Sequence, residues 1–290
     1  MTVSDATAAV VQRHRWHRWF RRRPLLSVAC GLVVIQLAMA LTAPLIAPYD
    51  PLAQDILARL KGPTAAHWLG ADQFGRDLLS RILYGYRSSL SIAGTSVTIA
   101  LMIGGTLGVM AAYYGGWFDR IVMRMMDVLF AFPIILLAIG VIAVLGPGHW
   151  TTAIAIGVVY TPIFARLLRG PGLVIATSDY VMGARCAGAG DARILLWHIL
   201  PNLSSLVLVQ TSLLLSTAIL VEASLSFLGL GTQPPTPSLG LMLSEGRAYM
   251  LLSPWTSVFS GLAILLVSFG FNLLGDALRD TLDPRLRGVD

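Results

Sequence analysis

The chain has 290 residues, of which 56% are hydrophobic and only 12% are charged, and its formal net charge is +6. A soluble domain carries roughly twice that share of charged residues, so the composition excludes an ordinary soluble protein. The positive charge does not indicate a nucleic-acid partner. Its arginines are clustered around long uncharged segments, which is the distribution of a membrane topology.

Five uncharged segments each reach the roughly 20 residues that a helix needs to cross the hydrocarbon core of a bilayer. They span residues 24–49, 88–118, 128–165, 194–221 and 248–275. The third contains Gly146-Pro147-Gly148, a turn signal that divides it into two crossings. Because backbone groups in lipid must be hydrogen-bonded within the protein, each crossing is expected to be a helix. The sequence therefore predicts an all-α integral membrane protein with six transmembrane helices. They lie at about residues 25–47, 88–113, 123–145, 150–168, 194–221 and 255–275.

An arginine-rich segment precedes the first crossing, and cytoplasmic loops favour Lys and Arg, so both termini of a six-helix chain are expected in the cytoplasm. The alternative is a cleaved secretion signal ending at Ala38-Met39-Ala40. It is less favoured because the apolar run continues past these small residues. The predicted regions are a basic cytoplasmic tail against lipid headgroups at 1–23, a first transmembrane helix at 24–47, an extracytoplasmic segment at 48–87, a core of five transmembrane helices at 88–276, and a cytoplasmic tail at 277–290.

The sequence contains no recognisable catalytic, cofactor or metal motif. A phosphate-binding G-x4-G-K-[S/T] loop needs a lysine, and the single lysine, Lys61, lies in no such loop. Two cysteines cannot form the usual zinc site, and His14 and His17 have no third ligand nearby. We therefore predict that the chain is not an enzyme and has no catalytic residue, metal site or cofactor of its own.

Few ionisable residues lie within the uncharged segments. His198 and Glu222 stand near opposite ends of the fifth predicted helix, whereas a proton-coupled carrier is expected to place more acids or histidines near the midplane. The driving force is therefore expected to come from outside this chain. In the second predicted helix, Gly104 and Gly108 indicate close helix packing, with a hinge as the alternative.

The segment at about 178–202 is the most informative loop. Asp179 suits a helix start, and Gly188 and Gly190 permit a sharp turn with positive φ before a second helix enters the membrane. A short helix, a turn and a second helix would form a knob that fits a groove on a partner. The alternative is an ordinary loop between two membrane helices.

This segment resembles the EAA loop of bacterial ABC-importer permeases, in which E-A-A, three residues, a glycine and a closing I-x-L-P build a coupling helix. Gly188 and His198-Ile199-Leu200-Pro201 follow the pattern, with His198 where the pattern often has isoleucine, whereas Met182-Gly183-Ala184 stand in place of E-A-A. The ATPase-coupling residues that the resemblance implies are Asp179, Tyr180, Met182, Gly183, Ala184, Ala187, Gly188, Leu200 and Pro201.

Further motifs extend the resemblance over nearly the whole chain. They are Pro48-Tyr49-Asp50-Pro51, the run 67–77, Tyr114-Gly115-Gly116-Trp117-Phe118-Asp119-Arg120, the run 222–235 and Asn272-Leu273-Leu274-Gly275-Asp276. Together they are similar to the dipeptide/oligopeptide/nickel permease family, and most to its C-type subunit. The resemblance implies a type I ABC importer (MetI-like) permease fold in the bacterial inner membrane. It also implies a heterodimer with a sister permease, two cytoplasmic ATP-binding subunits or domains that use the ATP, and an extracytoplasmic solute-binding protein.

The family resemblance predicts import of dipeptides or oligopeptides, with glutathione or a nickel or metal chelate as the alternative cargo. A secondary carrier and a membrane scaffold are the remote alternatives. Glu222 is a candidate for the translocation path or gate, with helix capping or pairing with an arginine as the other possibilities.

Overall fold

The computed structural model describes residues 24–282, and its described elements are almost entirely α-helical. The predicted basic tail at 1–23 and the last residues of the predicted C-terminal tail, 283–290, lie outside this range. The helices are α1 Pro24–Ile46, α2 Leu78–Tyr114, α3 Gly116–Phe130, α4 Ile134–Leu145, α5 His149–Ala176, α6 Asp179–Cys186, α7 Asp191–Phe227, α8 Leu239–Arg247 and α9 Trp255–Leu282.

Five of these helices, α1, α2, α5, α7 and α9, are long and apolar enough to cross a bilayer. The pair α3 and α4 passes the same test together, which gives up to six spans within the described residues. The prediction of an all-α membrane protein is confirmed. The prediction of one continuous third helix at 123–145 is wrong, because the segment consists of two helices, α3 and α4, that meet at 94°.

The break between α3 and α4 has a local cause. Phe132 precedes Pro133, and proline disfavours helical backbone at the residue before it and supplies no N–H of its own. Helix α3 accordingly ends at Phe130, and α4 begins at Ile134. The Phe-Pro pair was visible in the sequence and predicts the break.

Two ion pairs hold α3 against α5 in this bent arrangement. Arg169 Nη2 lies 2.6 Å from Asp119 Oδ2. Arg166 Nη2 lies 2.6 Å from Asp127 Oδ1, and its guanidinium stacks 4.1 Å from the centre of the Phe130 ring. The charges near the end of α5 therefore stabilise the packing of α3 as well as setting topology.

Other helix limits differ from the sequence expectation. Helix α2 begins at Leu78 and not near 88, because the Asp77 carboxylate accepts a hydrogen bond from the Ser80 N–H and caps it. The last part of the predicted extracytoplasmic segment is thus helical. Helix α5 continues to Ala176 in spite of Pro162 and Pro171 within it. Helices α7 and α9 are also longer than predicted.

The closest helix contact in the core is between α2 and α5. A Cβ at Gly104 would lie 2.1 Å from the Thr161 carbonyl oxygen, and one at Gly108 would lie 2.3 Å from that of Ala165. Only glycine fits at both positions, so the predicted close packing is present. A π-helical turn at Leu101–Gly105 occupies the same stretch of α2. Such turns often accompany functional sites, and the hinge alternative stays a prediction.

We expect Gly108→Ala to destabilise the protein, because the added methyl group must displace the α5 backbone. Overpacking of this kind costs about 1–3 kcal/mol. Gly94→Ala on the same helix is the matched control, since a Cβ there meets nothing within 4 Å. Thermal unfolding of the two detergent-solubilised variants measures the difference, and equal unfolding temperatures would contradict the close contact.

Candidate functional site

The segment between α5 and α7 forms a short helix followed by a glycine turn. Helix α6 ends at Cys186, and Gly188 has a φ of +84°, the left-handed conformation that favours glycine. The Gly188 N–H donates to the Arg185 carbonyl at 2.9 Å, and the Ala189 N–H donates to the Ala184 carbonyl at 3.0 Å. These two bonds make a Schellman motif, which ends a helix and reverses the chain. The predicted helix and turn are thus present, and the turn needs only Gly188, because Gly190 has an ordinary φ of −71°.

Helix α6 has one buried residue, Val181. Val181 is fully buried in an apolar cluster with Ile194, Ile199 and Leu203 of α7. The remainder of the helix faces outward, and Tyr180 and Met182 are each about half exposed, at 50% and 55%. Among the predicted coupling residues, Ala184 is half-buried and the exposed ones are Asp179, Tyr180, Met182, Gly183, Ala187, Gly188, Leu200 and Pro201. We call these residues, on α6 and at the start of α7, the α6 surface.

A polar contact joins α6 to the start of α7. Asn202 Nδ2 donates to the Tyr180 hydroxyl oxygen at 3.1 Å and to the His198 carbonyl at 2.7 Å. The first turns of α7 include a π-helical stretch at Ile194–Ile199, immediately before Leu200 and Pro201. Proline lacks the N–H that would continue the regular hydrogen-bond ladder, which accounts for the wider turn beside it. Helix α6 and this end of α7 are thus linked by both apolar and polar contacts.

Sequence reasoning missed three residues around this surface: Tyr113, Arg185 and Asp191. Tyr113, near the end of α2, donates a hydrogen bond to Asp191 Oδ1 at 2.7 Å. The Arg185 guanidinium lies 4.5 Å from the centre of the same tyrosine ring. No spacing rule connects Tyr113 to residues more than 70 positions further along the chain, so only the fold shows the contact.

Glu222 lies at the opposite end of the bundle, near the end of α7, as the sequence predicted. It is fully buried, and its Oε1 accepts a hydrogen bond of 2.7 Å from Ser226 Oγ. The hydroxyl groups of Ser89 on α2 and Ser238 just before α8 also approach this carboxylate. Neither an arginine pair nor a helix-cap bond to Glu222 is present within residues 24–282. The residue instead connects α7 with α2 and the segment that leads into α8.

The same end of the bundle contains a buried charge cluster. Arg76 Nε lies 2.6 Å from Asp72 Oδ2 and its Nη2 lies 3.2 Å from Glu245 Oε2, and Arg81 Nη2 lies 3.1 Å from the same Glu245 oxygen. The Arg81 side chain is only 1% exposed and that of Asp72 is fully buried. The cluster joins the segment before α2 to α8. It explains why a segment predicted to be extracytoplasmic contains Arg76 and Arg81, because both are neutralised inside the protein.

We expect Arg81→Ala to destabilise this end of the protein, because two carboxylates would then face a single guanidinium. Breaking a buried ion pair costs about 3–5 kcal/mol. Arg87→Ala is the control on the same helix, since Arg87 is exposed and has no ion-pair partner among the described residues. Thermal unfolding of both variants compares them, and an Arg81→Ala protein as stable as the control would contradict the role of the cluster.

The five to six apolar spans within the described residues define the class as a multi-pass membrane protein. The comparison with known proteins identifies the family. Residues 104–288 match the family described as the binding-protein-dependent transport system inner membrane component. Residues 13–63 match the N-terminal TM domain of oligopeptide transport permease C. The chain belongs to this family of ABC importer permeases.

Curated relatives match over almost their whole length. The chain is 47% identical over 287 residues to the glutathione transport system permease protein GsiD of Pectobacterium atrosepticum, covering 98% of this chain and 95% of the relative. It is 45% identical over 259 residues to the dipeptide transport system permease protein DppC of Alkalihalophilus pseudofirmus, covering 89% and 85%. These relatives are transport permeases of the inner membrane and not enzymes, which confirms the predicted class and location.

The fold is also similar to a solved transporter. A chain from the inward-facing MetNI methionine ABC transporter superposes with a TM-score of 0.52 at 18% identity, covering 69% of this chain and 96% of that one. The likeness confirms the predicted MetI-like permease fold. The family and fold together imply partner ATPase subunits and a substrate-binding protein.

Proposed function

We propose that the chain forms half of a translocation pathway for short peptides and that the α6 surface is where cytoplasmic ATPase subunits engage it. The observation that carries the proposal is the exposed helix α6, which is buried through Val181 alone and attached to the first turns of α7. A protruding helix with an apolar and aromatic face suits insertion into a groove on a partner. Its placement between two membrane helices lets one docking event act on both.

The proposed mechanism follows from these contacts. Closure of the ATPase pair on ATP would move α6, and the Val181 cluster and the Tyr180–Asn202 contact would move α7 with it. Movement at this end would reach the opposite end through the long helix α7, which ends near Glu222 and α8. The glycine contact between α2 and α5 would make those two helices move as one unit.

The sister permease and the substrate belong to the same proposal. A heterodimer is supported by the resemblance to C-type permeases. Short peptides are supported by the relatives, whose names specify dipeptides in one case and glutathione in the other. Glutathione is itself a small peptide, so both names favour the peptide class over metal chelates. Equilibrium binding of dipeptides and of glutathione to the cognate solute-binding protein decides between the two.

We predict that Gly188→Pro uncouples the transporter. Proline cannot adopt a φ of +84°, and its ring removes the N–H that donates to Arg185, so the α6 turn must change shape. Substrate-stimulated ATPase activity of the assembled transporter in proteoliposomes should fall by more than about tenfold, because the disruption amounts to roughly 3 kcal/mol.

Gly190→Ala is the control for this experiment. Gly190 lies in the same turn, has an ordinary φ, and has nothing within 4 Å of an added Cβ, so activity should be retained. Normal stimulation in Gly188→Pro would refute the docking role of the α6 surface.

Glu222 is proposed to act in the gate at the end opposite α6. Its burial between α7, α2 and the segment before α8 supports a gate that packs shut, and its Oε2 has no hydrogen-bond partner among the described residues. We expect Glu222→Gln to lower transport by about two- to tenfold while assembly with the partner subunits is unchanged, since a hydrogen bond such as the one from Ser226 contributes about 0.5–1.5 kcal/mol. Ser224→Ala is the control, because the Ser224 hydroxyl bonds only to its own helix at Leu220. Unchanged uptake by Glu222→Gln would remove the path or gate role.

A further inference from the structure

Three separate parts of the chain meet at the side chain of Tyr113. The residue lies one position before the end of α2 and is half-buried. Its hydroxyl donates to Asp191, the first residue of α7, and its ring lies under the guanidinium of Arg185 in the last turn of α6. Tyr113, Arg185 and Asp191 are called the Tyr113 clasp below.

The clasp surrounds the Gly188 turn. Arg185 precedes the turn and Asp191 follows it, so one tyrosine contacts both sides of the chain reversal. The Schellman bonds fix the turn internally, but they do not fix its orientation relative to the membrane helices. The apolar cluster around Val181 adds burial, which is non-directional. The hydrogen bond and the stacked guanidinium are directional, and they define how α6 sits against α2.

An apolar groove lies between α2 and α7 beside the Tyr113 clasp. A cavity of about 700 Å³ separates this half of α2 from the first turns of α7 and is lined by apolar residues including Met102, Val109 and Leu195. Ala192, which also lines the groove, follows directly after Asp191. The Tyr113–Asp191 hydrogen bond thus bridges the two helices at the end of this groove.

We propose that Tyr113 is a positioning residue for energy coupling: it orients the coupling helix α6 on α2, so that displacement of α6 is passed to the α2–α5 unit as well as to α7. The proposal rests on the proposed docking of ATPase subunits on the α6 surface. Helix α2 cannot slide freely on α5, because Gly104 and Gly108 place it against the α5 backbone. A displacement delivered to the end of α2 therefore moves both helices together.

The test measures transported substrate per ATP hydrolysed by the complete transporter in proteoliposomes. Tyr113→Phe removes the hydroxyl donor and keeps the ring under Arg185, and we expect it to lower this ratio by about two- to tenfold, the range that follows from loss of one hydrogen bond. Asp191→Ala should lower it to the same extent. The single variant Asp191→Asn should keep the ratio of the unmodified protein, because the amide oxygen still accepts the hydrogen bond from Tyr113. The double variant Tyr113→Phe/Asp191→Ala should be no worse than either single variant.

Tyr114→Phe is the matched control. Tyr114 is the neighbouring tyrosine, it is exposed, and it makes ring contacts only, with no hydrogen bond from its hydroxyl within residues 24–282. Removal of the Tyr114 hydroxyl group should leave the amount of substrate transported per ATP unchanged. A lower ratio in Tyr113→Phe and in Asp191→Ala, with an unchanged unfolding temperature and an unchanged ratio in Asp191→Asn, supports the clasp.

Two results would overturn the clasp while leaving the docking proposal intact. One is a Tyr113→Phe transporter that matches Tyr114→Phe while Gly188→Pro is uncoupled. The other is a parallel fall in stability, ATPase activity and uptake, which is the signature of a purely structural contact. If Gly188→Pro itself remains coupled, the docking role of α6 fails, and with it the basis for the clasp.

Discussion

The contact between α2 and α5 is the constraint on which the rest of the structure depends. At Gly104 and Gly108 the two backbones approach so closely that even one methyl group would collide with a carbonyl oxygen. Without water in the membrane, helices associate through such close packing and not through the hydrophobic effect. The pair contacts α3 through Arg166 and Arg169 of α5, and at the same end of the bundle it contributes to the apolar cluster that packs against α6 and α7.

The two ends of the bundle are organised differently. At the α8 end, Asp72, Arg76, Arg81 and Glu245 neutralise one another inside the protein, which fixes the segment before α2 onto α8. At the α6 end the polar contacts are partly exposed, and the short helix is buried at one position only. Exposed polar contacts contribute little to stability and are easily rearranged. This contrast suits a subunit that is anchored at one end and moved at the other.

The fold was largely predictable because it follows from local rules. Uncharged length predicts the spans, and the pattern around Gly188 predicts the helix and the turn, since only glycine readily adopts that φ. The bend at Pro133 also has a local signal, because proline disfavours helical backbone at Phe132, but the uninterrupted apolar length of the segment predicts a single helix. The Tyr113 contact and the pairing of Arg81 with Glu245 could not be predicted. They join residues 78 and 164 positions apart, and no periodicity encodes which distant side chains will meet.

The break at Pro133 has a consequence for the surrounding lipid. With a rise of 1.5 Å per residue, the 12 residues of α4 extend only about 18 Å and the 15 residues of α3 about 22 Å, and the two meet nearly at a right angle. Neither arm alone matches a hydrocarbon layer of roughly 30 Å. A bilayer accommodates a short span by thinning beside it, at a cost that grows with each ångström of mismatch. We therefore expect the stability of this bent pair to depend on the acyl-chain length of the surrounding lipid.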